Sequence, residues 1–165
     1  MNNRKILIFG NSGSGKSTLA RKLAREHDLV HVDLDSVAWL EGQGDMPVRR
    51  LLNDSEKLLR SELQACSGWV VEGCYTDLLE LLGNEATEII FMNLSIEDCI
   101  ANAKNRSWEP HKYPSKQAQD ENLVMLIDWI QQYQIRTDTF SYAAHADFYQ
   151  RFTKDKKTIT SNLNS

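Results

Sequence analysis

Ile6-Leu7-Ile8-Phe9-Gly10-Asn11-Ser12-Gly13-Ser14-Gly15-Lys16-Ser17-Thr18 sets an apolar run, a glycine-rich turn and a helix start in immediate succession. Gly10 through Ser17 satisfy the phosphate-loop pattern GxxxxGK[ST]. Its glycines let the backbone turn tightly and aim successive N–H groups inward. The helix beginning near Lys16 points its positive dipole end at the same spot. A polyphosphate fits such a cradle, formed by Gly10, Asn11, Ser12, Gly13, Ser14, Gly15, Lys16, Ser17 and Thr18. Lys16 is expected to reach the β- and γ-phosphates and the Ser17 hydroxyl to hold Mg²⁺. Nucleoside triphosphate binding, with ATP and Mg²⁺ as the ligands, is the first functional expectation.

Working outward, the preceding run is continuously apolar, as a strand buried on both faces of a parallel sheet should be. After the loop, Leu19, Ala20, Leu23 and Ala24 recur at helical spacing with Arg21, Lys22 and Arg25 opposite. Further strands are predicted over Leu29–Asp33, Trp69–Glu72, Glu88–Leu94 and Lys157–Thr160. Leu51, Leu52, Ser55, Leu58, Leu59 and Leu63 mark one helix between them, and Leu78, Leu79, Leu81 and Leu82 a short one ended by Gly83. Ser95 starts another with Asp98 three residues on, a capping-box variant. Leu123, Leu126, Ile127 and Ile130 trace an amphipathic helix. Alternating β and α elements predict an α/β fold with a parallel sheet wrapped on both faces, its functional groups at the carboxyl ends of the strands.

The 165 residues suit one domain over 1–165 with a core large enough to need no staples. Cys66, Cys74 and Cys99 are odd in number and lack metal-ligand spacing, which points to reduced thiols in a cytoplasmic setting. Cys74 lies near the expected site and reads best as a small apolar side chain. A net charge of −4 offers no basic field for nucleic acid, and no apolar run is long enough for a membrane span. The expected partner is a small-molecule acceptor met by a monomer or weak homodimer.

Arg106 to Asp120 breaks the β-α rhythm with Pro110 and Pro114 and the cations Arg106, Lys112 and Lys116 around His111. Between two helices, such a stretch suits a lid at about 106–120 that closes on phosphates and expels water, or else a solvated loop. His31-Val32-Asp33-Leu34-Asp35 places two carboxylates at the mouth of the sheet. One could orient an acceptor hydroxyl and the other tune Mg²⁺ through its water shell, although Asp35 could equally cap a helix. Glu72, with Gly73 beside it at the acceptor end, closes the third strand as an outer-shell metal candidate. Arg136 follows the lid, where a guanidinium could meet the transferring phosphoryl group or a helix C-terminus. An acceptor segment at about 35–65 holds Trp39, Arg49 and Arg50, which read as a pocket lining or as core and solvated helix start. His145 reads as a satisfied or exposed helix residue.

GNSGSGKSTLARKL, then HVDLDSVAW, then GWVVEGCY resemble the nucleoside and nucleotide kinase-like group of P-loop proteins, which includes adenylate, shikimate, gluconate and polynucleotide kinases. Within it, the order and spacing look most like the small proteins labelled "DNA topology modulation" kinases. The resemblance implies a five-stranded parallel sheet in the order 2-3-1-4-5, a lid after the fourth strand, and ATP with Mg²⁺. It further implies that Arg106 covers ATP, that Arg136 contacts the transferred phosphoryl, and that Ser161 and Asn162 pass near the adenine ring. By likeness to shikimate kinases, Asp33 lies near the metal and Asp35 engages the acceptor hydroxyl. Glu72-Gly73-Cys74-Tyr75 stands where those kinases carry Gly-Gly-Gly, which points away from shikimate. The implied activity is transfer of the γ-phosphoryl of ATP to a small-molecule hydroxyl or phosphate. A nucleotide-binding regulator with weak hydrolysis and a polynucleotide 5′-kinase are the alternatives.

Overall fold

Four consecutive apolar side chains, Ile6 to Phe9, are fully buried because strand β1 (Lys5–Gly10) runs through the middle of the sheet. The computed structural model describes residues 3–40 and 47–163. β1 is flanked by β3 (Trp69–Glu72) and β4 (Glu88–Met92), with β2 (Val30–Asp33) and β5 (Asp155–Ile159) at the edges. All five strands are parallel in the order β2-β3-β1-β4-β5, as the resemblance implied.

Parallel neighbours require crossover connections, and helices supply them. These are α1 (Lys16–His27), α2 (Asp35–Ala38), α3 (Leu52–Leu63), α4 (Thr76–Leu81), α5 (Ile96–Lys104), α6 (Lys116–Gln131) and α7 (Tyr142–Arg151). The pleat of β1 divides the apolar residues between two layers. Leu7 and Phe9, with Val71, Ile89 and Phe91, meet Leu59 of α3, Leu78 and Leu79 of α4 and Phe148 of α7. Ile6 and Ile8, with Val70, Ile90 and Met92, meet Leu19 and Ala20 of α1, Cys99 of α5 and Ile130 of α6. Ser95 caps α5 by accepting from the Asp98 N–H at 3.1 Å.

Several boundaries differ from the expectation. β5 begins at Asp155, two residues before Lys157, and is an exposed edge whose Lys156 and Lys157 discourage further pairing. β4 ends at Met92 and β2 begins at Val30. The stretch 106–120 expected as a lid is not all loop, because Ser115 caps α6 and its first turns take Lys116 to Asp120, leaving a loop over 105–115. The reading of His145 as a helix residue drew no bounds for that helix, which is α7 over Tyr142–Arg151; its buried residues, His145 and Phe148, leave no aliphatic stripe to delimit it. Part of the expected acceptor segment, 41–46, lies outside the described residues. Among those described, no helix is long and apolar enough to cross a membrane.

Candidate active site

The turn after β1 is held from behind. Asn11 is buried, donates from Nδ2 to the Ile130 carbonyl at 3.2 Å and accepts the Ser12 N–H on Oδ1 at 2.8 Å. Its role is therefore to brace the loop against α6. Gly13 adopts φ 77°, and a Cβ there would lie 2.3 Å from the Cys99 carbonyl oxygen, so only glycine lets the loop approach α5 this closely. The N–H groups of Gly13, Gly15, Lys16, Ser17 and Thr18 meet no acceptor among the described residues. The buried Ser14 hydroxyl likewise has no partner. Lys16 Nζ donates to the Asn11 carbonyl at 2.7 Å.

These groups open into a cleft of about 1380 Å³, lined by the loop from Ser12 to Thr18, the ends of β2 and β3, the 105–115 loop and the segment after β5. Gly10 and Asn11 stand behind the lining. Parallel pairing sets Asp33 beside Glu72. Asp33 Oδ1 accepts the Asp35 N–H at 2.9 Å, a local turn that presents Asp35 at the start of α2. Glu72 is 2 % exposed and pairs with His31 Nε2 at 3.0 Å. Gly73 donates its N–H to the Ile8 carbonyl, and a Cβ there would lie 2.8 Å from Leu34, so this glycine permits close packing behind the two aspartates.

Asp35 is gripped on both oxygens. The Tyr75 hydroxyl donates to Oδ1, and Lys112 Nζ lies 3.0 Å from Oδ2. Trp39 Nε1 donates to the same Tyr75 oxygen at 2.8 Å. Burial opposes ionisation of Asp35, but Lys112 and the Tyr75 hydroxyl outweigh it and hold this carboxyl below its ordinary range. Asp33 is pushed the other way, up to about 6, by burial and then by Glu72 and Asp35. Burial lifts the Cys74 thiol to about 12, which suits a neutral, unreactive side chain.

The loop contributes Arg106, whose Nε pairs with Glu109 Oε1 at 3.1 Å, and Lys112, which also approaches Glu109 at 3.5 Å and Asp33 at 3.8 Å. Gln119 of α6 anchors it from below, accepting the Glu109 N–H at 2.8 Å and donating to the Ser107 carbonyl at 3.1 Å. On the opposite wall, Asn102 Nδ2 donates to the Gly13 carbonyl and to Asn162 Oδ1, both at 2.8 Å. Asn162 lines the cleft; Ser161 does not.

Arg136, Arg49 and Trp39 join Gly10, Asn11 and Ser161 off the lining. Arg136 stacks on Trp129 with its guanidinium 3.4 Å from the ring centroid and donates to the Trp129 carbonyl, the helix-end arrangement rather than a cleft-facing one. Arg49 is held by Asp77 at 3.0 Å and packed over the rings of Trp39, Tyr75 and Phe140. Trp39 supports Tyr75 from behind. His145 is fully buried; its Nε2 donates to the Cys74 carbonyl at 2.8 Å, which leaves Nδ1 to accept from the Tyr133 hydroxyl at 2.7 Å. Sequence reasoning did not assign Tyr75, Asn102, or the pairing of Lys112 with the aspartates. Lys112 was visible only as a loop cation, and Asn102 carries no signal beyond a polar position on α5.

A parallel sheet in this order, with a phosphate loop after its central strand, defines a P-loop protein of the nucleotide kinase-like class. The chain belongs to the AAA_18 family, described as "AAA domain", whose profile matches residues 6–124. Among solved structures it is similar to shikimate kinase from Bacteroides thetaiotaomicron, with a TM-score of 0.54 and 15% identity over 96% of this chain and 86% of that one. At that identity the likeness concerns the fold. No curated protein matches the chain in sequence.

Proposed function

We propose that the protein is an ATP- and Mg²⁺-dependent phosphotransferase that moves the γ-phosphoryl group of ATP to a hydroxyl or phosphate of a small molecule. The observation that carries this reading is the meeting, in one cleft, of unpaired phosphate-loop N–H groups with the Asp33, Asp35 and Glu72 carboxylates. A loop alone would bind nucleotide; carboxylates facing it supply the acceptor side of a transfer.

In this reading the N–H groups of Gly13 and of Gly15 to Thr18, with the Lys16 side chain, hold the phosphates, Arg106 covers them and Asn162 borders the base. The fit to Mg²⁺ rests on the donor set. Among the described residues no cluster of three or more His, Cys, Asp or Glu is arranged to hold a metal. Mg²⁺ suits a cleft of that kind, because it keeps waters and substrate phosphates and needs few protein ligands. Ser17 would hold it directly, with Asp33 and Glu72 engaging its waters. Bound there, it would neutralise charge on the phosphate oxygens.

The acceptor oxygen forms a bond to the γ-phosphorus as the bond from that phosphorus to the β,γ-bridging oxygen breaks, and ADP leaves with the electron pair. Asp35 orients the acceptor hydroxyl and receives its proton. A loose transition state asks for little basicity, so a carboxylate held below its ordinary range suffices. The 105–115 loop serves as the lid and 35–65 as the acceptor segment.

A mass-spectrometric screen with MgATP against pooled nucleosides, nucleotides, sugars and hydroxy acids, run beside Lys16→Ala, tests this. The expected result is a phosphorylated product that falls by about two to three orders of magnitude in the variant. Full turnover by Lys16→Ala overturns the mechanism; ADP release with no phosphorylated product moves the protein to the nucleotide-binding regulator.

A further inference from the structure

The acceptor end of the cleft is occupied by a cation from the chain itself. The Lys112 ammonium sits 3.0 Å from Asp35 Oδ2, 3.5 Å from Glu109 Oε2 and 3.8 Å from Asp33 Oδ2. An ammonium has three donors, and three carboxylates surround this one. Lys112 comes from the loop rather than the sheet, so an acceptor reaching Asp35 Oδ2 must displace it. Asp35 then loses its paired cation, keeping Tyr75 on the other oxygen and only the more distant charge of Lys16, which in the proposed function is engaged by the phosphates.

Four further basic side chains of this region are already engaged and cannot take its place. Arg49 is held by Asp77 and three aromatic rings, and Arg50 donates to the Trp39 carbonyl. Arg106 is paired with Glu109, and His31 with Glu72. Arg21, Lys22 and Arg25 line the cleft from the exposed face of α1 and form no ion pair among the described residues. A part-buried carboxylate stripped of its partner is costly, and an incoming positive charge removes that cost. The proposed Mg²⁺ contacts, Ser17, Asp33 and Glu72, do not include Asp35, the carboxylate closest to Lys112.

We infer that the phosphoryl acceptor is a hydroxyl compound bearing a protonated amine, selected by Asp33 and Asp35, and that Lys112 competes with it by seating its own ammonium where the acceptor's ammonium binds. The inference rests on the phosphotransferase reading above. The hydroxyl is the nucleophile, because a protonated amine has no free lone pair, and the bonds made and broken are those of the transfer already given. The lid residue acts as a competitor whose departure exposes Asp33 and Asp35 only to a ligand that restores the charge.

The test measures binding of matched probes to the full chain with MgADP by calorimetry: serinol against glycerol, and glucosamine against glucose. The amines are expected to bind at least about tenfold more tightly than their neutral twins. Lys112→Met removes the competitor and is expected to strengthen amine binding by about tenfold while leaving the neutral twins nearly unchanged; Lys112→Arg retains the competition. A variant that only loosened the lid would change both members of each pair alike, and that result overturns the inference. So does equal binding of twins, preference for glycerol 3-phosphate, or no binding of either amine by a protein that holds MgADP. With MgATP, phosphorylation of glycerol or glucose in preference to the amines overturns the amine claim alone. Amine-selective binding without any phosphorylated amine overturns the acceptor claim alone; the phosphotransferase reading falls only when the pooled screen also yields no phosphorylated product.

Discussion

A methyl group on residue 13 would meet the Cys99 carbonyl at 2.3 Å in a backbone conformation already unfavourable for L side chains. Gly13→Ala is therefore expected to push the phosphate loop off α5 and to weaken MgATP binding by at least about tenfold, with the far-ultraviolet dichroism of the sheet and helices retained. Unchanged affinity by calorimetry would show that the loop has room that the packing denies it. Tyr75 is the other position where one atom has several duties. Its hydroxyl donates to Asp35 and accepts from Trp39, so Tyr75→Phe leaves an indole N–H and a carboxylate oxygen each short of a partner. A loss of about 1–3 kcal/mol in urea unfolding is expected. Trp39→Phe added to it should cost less than the sum of the single changes, because both substitutions break the same contact.

At the scale of elements, the 105–115 loop and the phosphate loop are both pinned from α6. Asn11 reaches the Ile130 carbonyl of that helix, and Gln119 holds the 105–115 backbone at Glu109 and Ser107. Gln119→Ala removes the lower anchor while keeping the Ser115 cap of α6, which accepts from the Ala118 N–H. Amide hydrogen exchange over 105–115 is expected to quicken by about tenfold, with α6 itself little changed. Exchange rising equally across α6 would mean that the 105–115 loop and the helix open as one unit.

For the whole molecule, two buried groups set opposing dependences on pH. His145 is held neutral, its pKa lowered to about 4 by burial, so the unfolded chain binds a proton that the native state refuses as pH falls below about 6.5. That removes stability toward acid, by up to about 3 kcal/mol near pH 4. Asp33 works in reverse: raised to about 6, it takes up a proton in the native state before the unfolded chain does, so stability increases between about 6 and 4 by a similar amount. Without nucleotide or metal, the wild type should vary little between pH 7 and 4.5. Asp33→Asn should lose stability over that range and His145→Gln should gain it. Parallel denaturation profiles for all three proteins would refute the opposition.

What the amino-acid sequence determined by itself is local in the chain. The phosphate loop, the alternation of strands and helices, the Ser95 cap, the positions of Asp33 and Glu72 at strand ends and that of Asp35 just beyond one all follow from contiguous residues and short periods, which is where backbone geometry is encoded. The strand order came from the family resemblance those stretches carry, and the sheet matches it. Side-chain partnership across the fold was decided only by the tertiary structure. The Tyr75 to Asp35 contact spans 40 residues. Arg49 faces Asp77 and an aromatic box instead of the cleft, Arg136 turns onto Trp129, and Lys112 crosses from the 105–115 loop to both aspartates. A long cationic side chain has many reachable partners and no intrinsic preference among carboxylates. Which one it meets depends on the distances that packing sets.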